Sequence, residues 1–325
     1  MSAPVGFPGL SVGHATDIVA RSGTTAVVFD TPAVCGVAVH GAAPGTRETD
    51  LLRPGNLNPG VDAIILSGGS AYGLAAGDGA HAALADAGRG FQVGPHRIPI
   101  VPAAIVFDLS EHRADYRALG VQAVRSALTG SDFSEGSVGA GTGASVAGLK
   151  GGIGIACETA GGASVLAIII ANSIGALTAA NGPWFRARHF ERGGEFGGLT
   201  PPPEADFASV RTKRDAPAGA NTVIGLIATD AALTVADASR LATAAHDGIA
   251  IAAWPAHTIL DGDTLFSAST GRLPGPANPE DIITLHAAAV RAVARAMARA
   301  VFHAEPLEGD TLPTWRATYQ SYLRS

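Results

Sequence analysis

Seven short apolar runs, at 24–29, 63–66, 104–107, 152–157, 165–171, 223–228 and 264–267, constrain this chain more than any other feature. Each is bounded by Gly, Pro or Asp, and runs of that length between turn residues read as buried strands. Alanine-rich stretches with helical spacing lie between them. Residues 74–87 end at Gly88 and read as a helix, and Thr234 followed by Asp237 is a capping signal for another reaching about residue 245. Near the C-terminus Leu285, Val290, Val293, Met297 and Val301 recur at helical spacing. Arg291, Arg295 and Arg299 are expected on the opposite, solvated face of that helix. Strands alternating with helices give an α/β fold.

Composition narrows the function classes. With 325 residues, 47% hydrophobic and only 15% charged, the chain is too apolar to be disordered and long enough for one large domain or two ordinary ones. A net charge of −6 and no run of Lys/Arg argue against nucleic acid or an anionic membrane as the main partner. The charge-free stretch 161–180 is interrupted by Gly, Asn172 and Ser173, which fits two buried strands and a turn better than a membrane span. The N-terminal residues show no basic segment followed by an apolar one, so a cytoplasmic location is expected. Cys35 and Cys157 both sit in apolar stretches and are expected to be buried thiols, not a disulfide framework. Residues 181–220, rich in Gly, Pro and mixed charge that includes Lys213 and Arg214, read as a long loop of the kind that often carries function.

Several places carry reactive side chains. Ser70, in Ser67-Gly68-Gly69-Ser70-Ala71-Tyr72-Gly73, resembles a nucleophile elbow, but Tyr72 replaces the second glycine; capping of the next helix is the alternative. The run Gly139-Ala140-Gly141-Thr142-Gly143 matches no phosphate-binding motif. Asp261-Gly262-Asp263 is either a turn or a pair of carboxylates aimed at a site. The ten histidines contain no metal-binding spacing, so neither a metal nor another cofactor is expected. Asn221-Thr222 follows Gly219-Ala220 and opens an apolar strand. A Thr so placed can attack the carbonyl before it, and hydrolysis of the resulting ester frees an α-amine of ordinary pKa about 8. That amine can take the proton of its own hydroxyl, the arrangement of N-terminal threonine catalysis.

Long runs then point to a family. Gly9-Leu10-Ser11-Val12-Gly13-His14, Gly41-Ala42-Ala43-Pro44-Gly45-Thr46-Arg47-Glu48-Thr49-Asp50, the Ser67–Tyr72 run, Pro99-Ile100-Val101-Pro102-Ala103-Ala104, Asn221-Thr222 and Asp261-Gly262-Asp263-Thr264-Leu265-Phe266 occur in order along the chain. In these the sequence resembles the P1 peptidase family, the L-aminopeptidase/D-esterase (DmpA-like) group with its nylon-oligomer endo-hydrolase relatives. The resemblance implies a single catalytic domain with an Ntn-hydrolase-like α/β layered sandwich, self-cleaved between Asn221 and Thr222 into fragments 1–221 and 222–325. It implies Thr222 as nucleophile, Asn172 at the oxyanion site, Asp261 and Asp263 orienting the nucleophile, and Tyr72, with Ser70 beside it, against the substrate. Lys150 stands as a catalytic candidate, although it suits a downstream Lys-Gly-Gly run of the family better than the Gly-Lys pair of the nylon hydrolases. Ser70 occupies the place where aminopeptidase members carry an acidic residue. The implied activity is hydrolysis of small peptides or amides by a homo-oligomer, a tetramer in the family. An acyltransferase similar to ornithine acetyltransferase, or a ligand-binding relative without catalysis, are the alternatives.

Overall fold

The structure, a computed structural model, describes residues 6–58, 60–213 and 221–323. Gly219, Ala220 and Arg214, singled out in the sequence, lie outside the described residues. In chain order the first half comprises β1 (Leu10–Asp17), β2 (Ser22–Val39), β3 (Thr46–Arg47), β4 (Val61–Ser67), α1 (Ala75–Asp86), β5 (Phe91–Val93), β6 (His96–Ile98), β7 (Ala103–Ile105) and α2 (Tyr116–Thr129). There follow β8 (Ser145–Val146), β9 (Leu149–Lys150), β10 (Gly152–Ala160), β11 (Ala163–Asn172), β12 (Thr222–Ala231), α3 (Val235–Ala252), β13 (Thr264–Leu273), α4 (Pro279–Phe302) and α5 (Trp315–Tyr319).

The long strand β2 joins two sheets. Its first half pairs with β1 and β4, its second half, Val34 to Val39, with β13. Between the halves Asp30, Thr31 and Pro32 are exposed and the register shifts, so the strand bends there and passes from one sheet to the other. The first sheet runs β1-β2-β4-β7-β3 and the second β10-β11-β12-β13-β2.

Alternate side chains explain why the strands read as continuous apolar runs. In β11, Leu166, Ile168 and Ile170 face the other sheet, packing with Val27, Ile64 and Leu66, while Val165, Ala167 and Ile169 pack under α3 and α4. The first sheet turns Ala26, Val28, Ala63 and Ile65 toward α1 and α2. The result is a helix–sheet–sheet–helix sandwich with strands buried on both faces. Close layers demand small residues: a Cβ on Gly154 would stand 1.9 Å from the Ala296 carbonyl oxygen of α4.

All seven expected strands are present, and Thr234 and Asp237 form the capping box of α3, which continues to Ala252. Three readings need correction. The stretch 161–180 holds one strand, β11, followed by irregular chain, because Asn172 and Ser173 end the strand. Cys35 is buried, but Cys157 is only half-buried. Arg295 and Arg299 are not solvated; they are 4% and 3% exposed. Glu195 pairs with Arg295 at 2.6 Å and with Arg299 at 3.0 Å, Glu158 takes Arg295 at 2.6 Å, and Glu135 takes Arg299 Nε at 2.9 Å. The three acids come from distant segments, so helical spacing alone could not reveal them. Among the described residues no helix is long and apolar enough to cross a membrane.

Removing Glu195 leaves two buried guanidinium groups short of their shared partner. Glu195→Ala is therefore expected to cost about 3–5 kcal/mol in urea unfolding. Arg291→Ala, which removes a more exposed contact to Glu158, should cost under about 1 kcal/mol.

Candidate active site

The first residue of β12, Thr222, lies opposite Asn172, the last residue of β11. Asn221 forms a parallel bridge to Asp261, and its carbonyl oxygen accepts the Gly262 N–H at 3.0 Å. The Thr222 hydroxyl donates to that same oxygen. Thr222 is 2% exposed and Asn221 fully buried. Both amide atoms of the Asn221 side chain are buried without a partner among the described residues, an arrangement that costs about 1–3 kcal/mol per group.

Both carboxylates belong to one loop packed against this junction. Asp263 Oδ1 accepts the Val223 N–H at 2.7 Å, and its Oδ2 accepts His257 Nδ1 at 2.7 Å. Asp261 accepts the Thr258 hydroxyl at 2.7 Å and the Ile174 N–H at 3.3 Å. Burial, then the charge of Asp263, push the Asp261 carboxyl up. The Gly41-Ala42-Ala43 run holds the loop from behind: Ala43 N–H donates to the Asp261 carbonyl at 2.8 Å and His40 N–H to that of Asp263 at 3.0 Å. Gly41 and Gly262 are dictated by this contact. A Cβ on Gly262 would stand 2.5 Å from the Ala43 oxygen and 2.9 Å from Thr222 Oγ1.

On the other side Asn172 is fixed through every part of its amide. Its Oδ1 accepts from Ser145 N–H at 3.0 Å and from Lys213 Nζ at 2.9 Å, and its Nδ2 donates to the Phe107 carbonyl at 3.2 Å. Burial pushes the Lys213 ammonium down to about 7, while Asp261 and Asp108 pull in the opposite direction. Asp108 is itself pushed up to about 7 by burial, opposed by hydrogen bonds from Gly69 N–H and the Ser22 hydroxyl. Lys213, Asp108, Ser145 and Lys150 line one cavity of about 280 Å³.

The structure thus brings Asn221, Thr222, Asn172, Asp261 and Asp263 together. Lys150 also lines the cavity, buried, with its ammonium 2.6 Å from Asp310. Tyr72 is exposed, with the Arg113 guanidinium 4.7 Å above its ring. Ser70 does not cap a helix. It opens a 3-10 turn at φ 52°, and no side chain caps that turn. Its loop reaches the site through Gly69, whose N–H donates to Asp108 at 2.6 Å. Sequence reasoning missed Lys213, Asp108 and His257. Lys213 had one usable signal, being one of two lysines in the chain.

Lys213 makes stability depend on pH. An unfolded lysine keeps its proton to about 10.4, so between about pH 7 and 10 the unfolded chain binds more protons and stability rises with pH. Urea midpoints at pH 7 and 9 should therefore separate further in the wild type than in Lys213→Met.

Comparison with known proteins fits this geometry. The chain is 40% identical over 315 residues to an uncharacterized aminopeptidase of Mycobacterium tuberculosis, covering 90% of this chain and 89% of that one. It is 29% identical over 287 residues to the 6-aminohexanoate-oligomer endohydrolase of a Kocuria species, covering 84% of this chain and 76% of the relative. The structure of the L-aminopeptidase D-Ala-esterase/amidase of Ochrobactrum anthropi, described as a variant of the Ntn hydrolase fold, superposes with a TM-score of 0.67 at 22% identity, covering 95% and 88% of the two chains. Residues 6–313 match peptidase family S58, and the chain belongs to that family.

Proposed function

We propose that this S58 chain is an amide-bond hydrolase whose nucleophile, Thr222, is exposed by self-cleavage of the Asn221–Thr222 bond. One observation carries the reading: the Thr222 hydroxyl and the Gly262 N–H converge on the Asn221 carbonyl. Attack of Oγ1 on that carbonyl carbon builds negative charge on an oxygen that Gly262 already holds. Breaking the C–N bond leaves an ester between Asn221 and Thr222 and a free amine. Water then hydrolyses the ester to the Asn221 carboxylate and the Thr222 hydroxyl.

In the mature enzyme the α-amine takes the hydroxyl proton as Oγ1 attacks a substrate amide. The proton passes to the departing amine, and water releases the acyl group from Thr222. Asp263, bonded to the next peptide N–H, holds the strand start, and Asp261 supplies negative charge for the ammonium form of the amine. Asn172, in register opposite Thr222, is the side-chain donor for the substrate oxyanion, its amide plane fixed by Ser145 and Phe107. Lys213, not Lys150, is the lysine in contact with Asn172, and its Nζ holds the amide oxygen. Lys150 braces the cavity wall through Asp310. Tyr72 and Ser70 are the proposed substrate contacts, as the family resemblance implies. The substrate class is a small peptide or amide, in keeping with the names of the relatives; a homo-oligomer follows from the family resemblance, and a cytoplasmic location from the N-terminal sequence.

Intact-mass measurement of purified protein should give two fragments, the smaller beginning at Thr222. Thr222→Ala should remain one chain and lose at least about 10³-fold in kcat/KM on an amide substrate. A fully active, uncleaved wild type overturns the mechanism, and acyl transfer to an added amine in place of water would mark an acyltransferase. Gly262→Ala, whose Cβ meets both Ala43 and Thr222, should slow self-cleavage by about 10²-fold when followed on denaturing gels.

A further inference from the structure

Three histidines from distant parts of the chain stand together behind Asp263. His40 follows β2, His246 lies in α3 and His257 precedes the Asp261 loop. Each offers a ring nitrogen, and the three nitrogens lie within 4.8 Å of one another. The rings of His40 and His246 stack at 3.9 Å, and His257 meets them edge-on at 5.3 and 5.0 Å.

Hydrogen bonding decides which nitrogens hold lone pairs. His246 Nε2 is 3.0 Å from the Ala38 carbonyl oxygen, which can only accept, so Nε2 carries the hydrogen and Nδ1 the lone pair. That Nδ1 is buried without a partner among the described residues, in a side chain that is 1% exposed. His257 Nδ1 donates to Asp263 at 2.7 Å, and its Nε2 makes only a long 3.4 Å contact to the His246 carbonyl, which can only accept, so a metal ion at Nε2 would displace the proton of that weak bond. His40 is exposed, and no hydrogen bond among the described residues fixes its ring. Burial and the charge of His257 hold the His40 imidazole below its ordinary pKa, against the opposing pull of Asp247 and Asp263.

We propose that His40, His246 and His257 bind a divalent transition-metal ion of the zinc class, with Asp263 as the outer carboxylate that orients His257. Three neutral imidazoles with a water in the fourth position suit Zn²⁺, and a carboxylate behind a ligating histidine is its usual support. Metal–nitrogen bonds of about 2.0–2.1 Å bring tetrahedral nitrogens to about 3.3 Å apart, so the rings must draw in. The exposed His40 supplies that movement by turning its ring. The ion would cross-link β2, α3 and the loop bearing Asp261 and Asp263, one hydrogen bond from the carboxylate on Val223. Sequence spacing gave no hint of this because the ligands sit at 40, 246 and 257.

This site stands independently of the self-cleavage reading. Chelator-treated full-length protein titrated with Zn²⁺ alone in a calorimeter should bind one ion per chain. Co²⁺ should give the visible absorption of a four-coordinate site. His40→Ala, at an exposed position, should weaken binding at least about tenfold. His246→Gln, with its fold checked by circular dichroism, should do the same, while Thr222→Ala should bind like wild type. Absence of stoichiometric binding, or equal binding by wild type and both histidine variants, overturns the proposal.

Discussion

The hydrogen bond from Val223 N–H to the Asp263 carboxylate is the constraint on which this site depends. The β12–β13 backbone ladder begins only at Ile224 and Thr264. Before it, a charged side chain takes the place of a backbone carbonyl at 2.7 Å, and the Asn221–Asp261 bridge extends the pairing one step further. A bond to an ionised acceptor contributes about 1.5–3 kcal/mol, more than a ladder bond it replaces. The Asn221–Thr222 peptide is thereby held on one side by the Asp261–Asp263 loop and on the other by Asn172 across β11. Two unlike anchors fix a bond that a plain sheet would leave at a fraying strand end.

The sandwich explains why the polar groups gather there. Both faces of the central strands are covered, so their ends are the places where side-chain amides and carboxylates can find partners without breaking a packed layer. Burial in that position is also what pushes Asp261 and Asp108 up and Lys213 down. Asp108 is raised to about 7 and Lys213 lowered to about 7, opposite shifts of the kind that gather at functional sites. The same sandwich, closed at its far side, buries Arg295 and Arg299 and meets their charge with three glutamates.

What the sequence made legible follows from distance along the chain. Strands buried on both faces write continuous apolar runs, and the Thr234–Asp237 box is a local signal, so both were readable. Thr222 as proposed nucleophile, Asn172 as proposed oxyanion donor and the carboxylates Asp261 and Asp263 came from family resemblance, and the structure places these residues around one peptide bond. The rest was hidden because it is made by partners far apart. An arginine stripe reads as solvent-facing when its acids lie at 135, 158 and 195. Lys150 drew attention beside a glycine-rich run, yet Lys213, inside an irregular loop, is the lysine that reaches Asn172. Ser70 resembled a cap by residue type, while its left-handed backbone takes it out of that role.

The Asn221 side chain sharpens the mechanistic argument. An amide buried with neither its oxygen nor its nitrogen partnered among the described residues raises the energy of the intact junction, while the carbonyl beside it is already held by the Gly262 N–H and the Thr222 hydroxyl. In the proposed cleavage Asn221 becomes a chain end that can withdraw to water, relieving that cost. Thr222 cannot follow, because β11 and Asp263 hold its strand. A bond whose one side is anchored and whose other side gains by leaving is biased toward opening, and the opened state retains the hydroxyl, the new amine and the carboxylates in place. On the proposed mechanism, the arrangement that destabilises the intact junction is the one that preorganises the site left by cleavage.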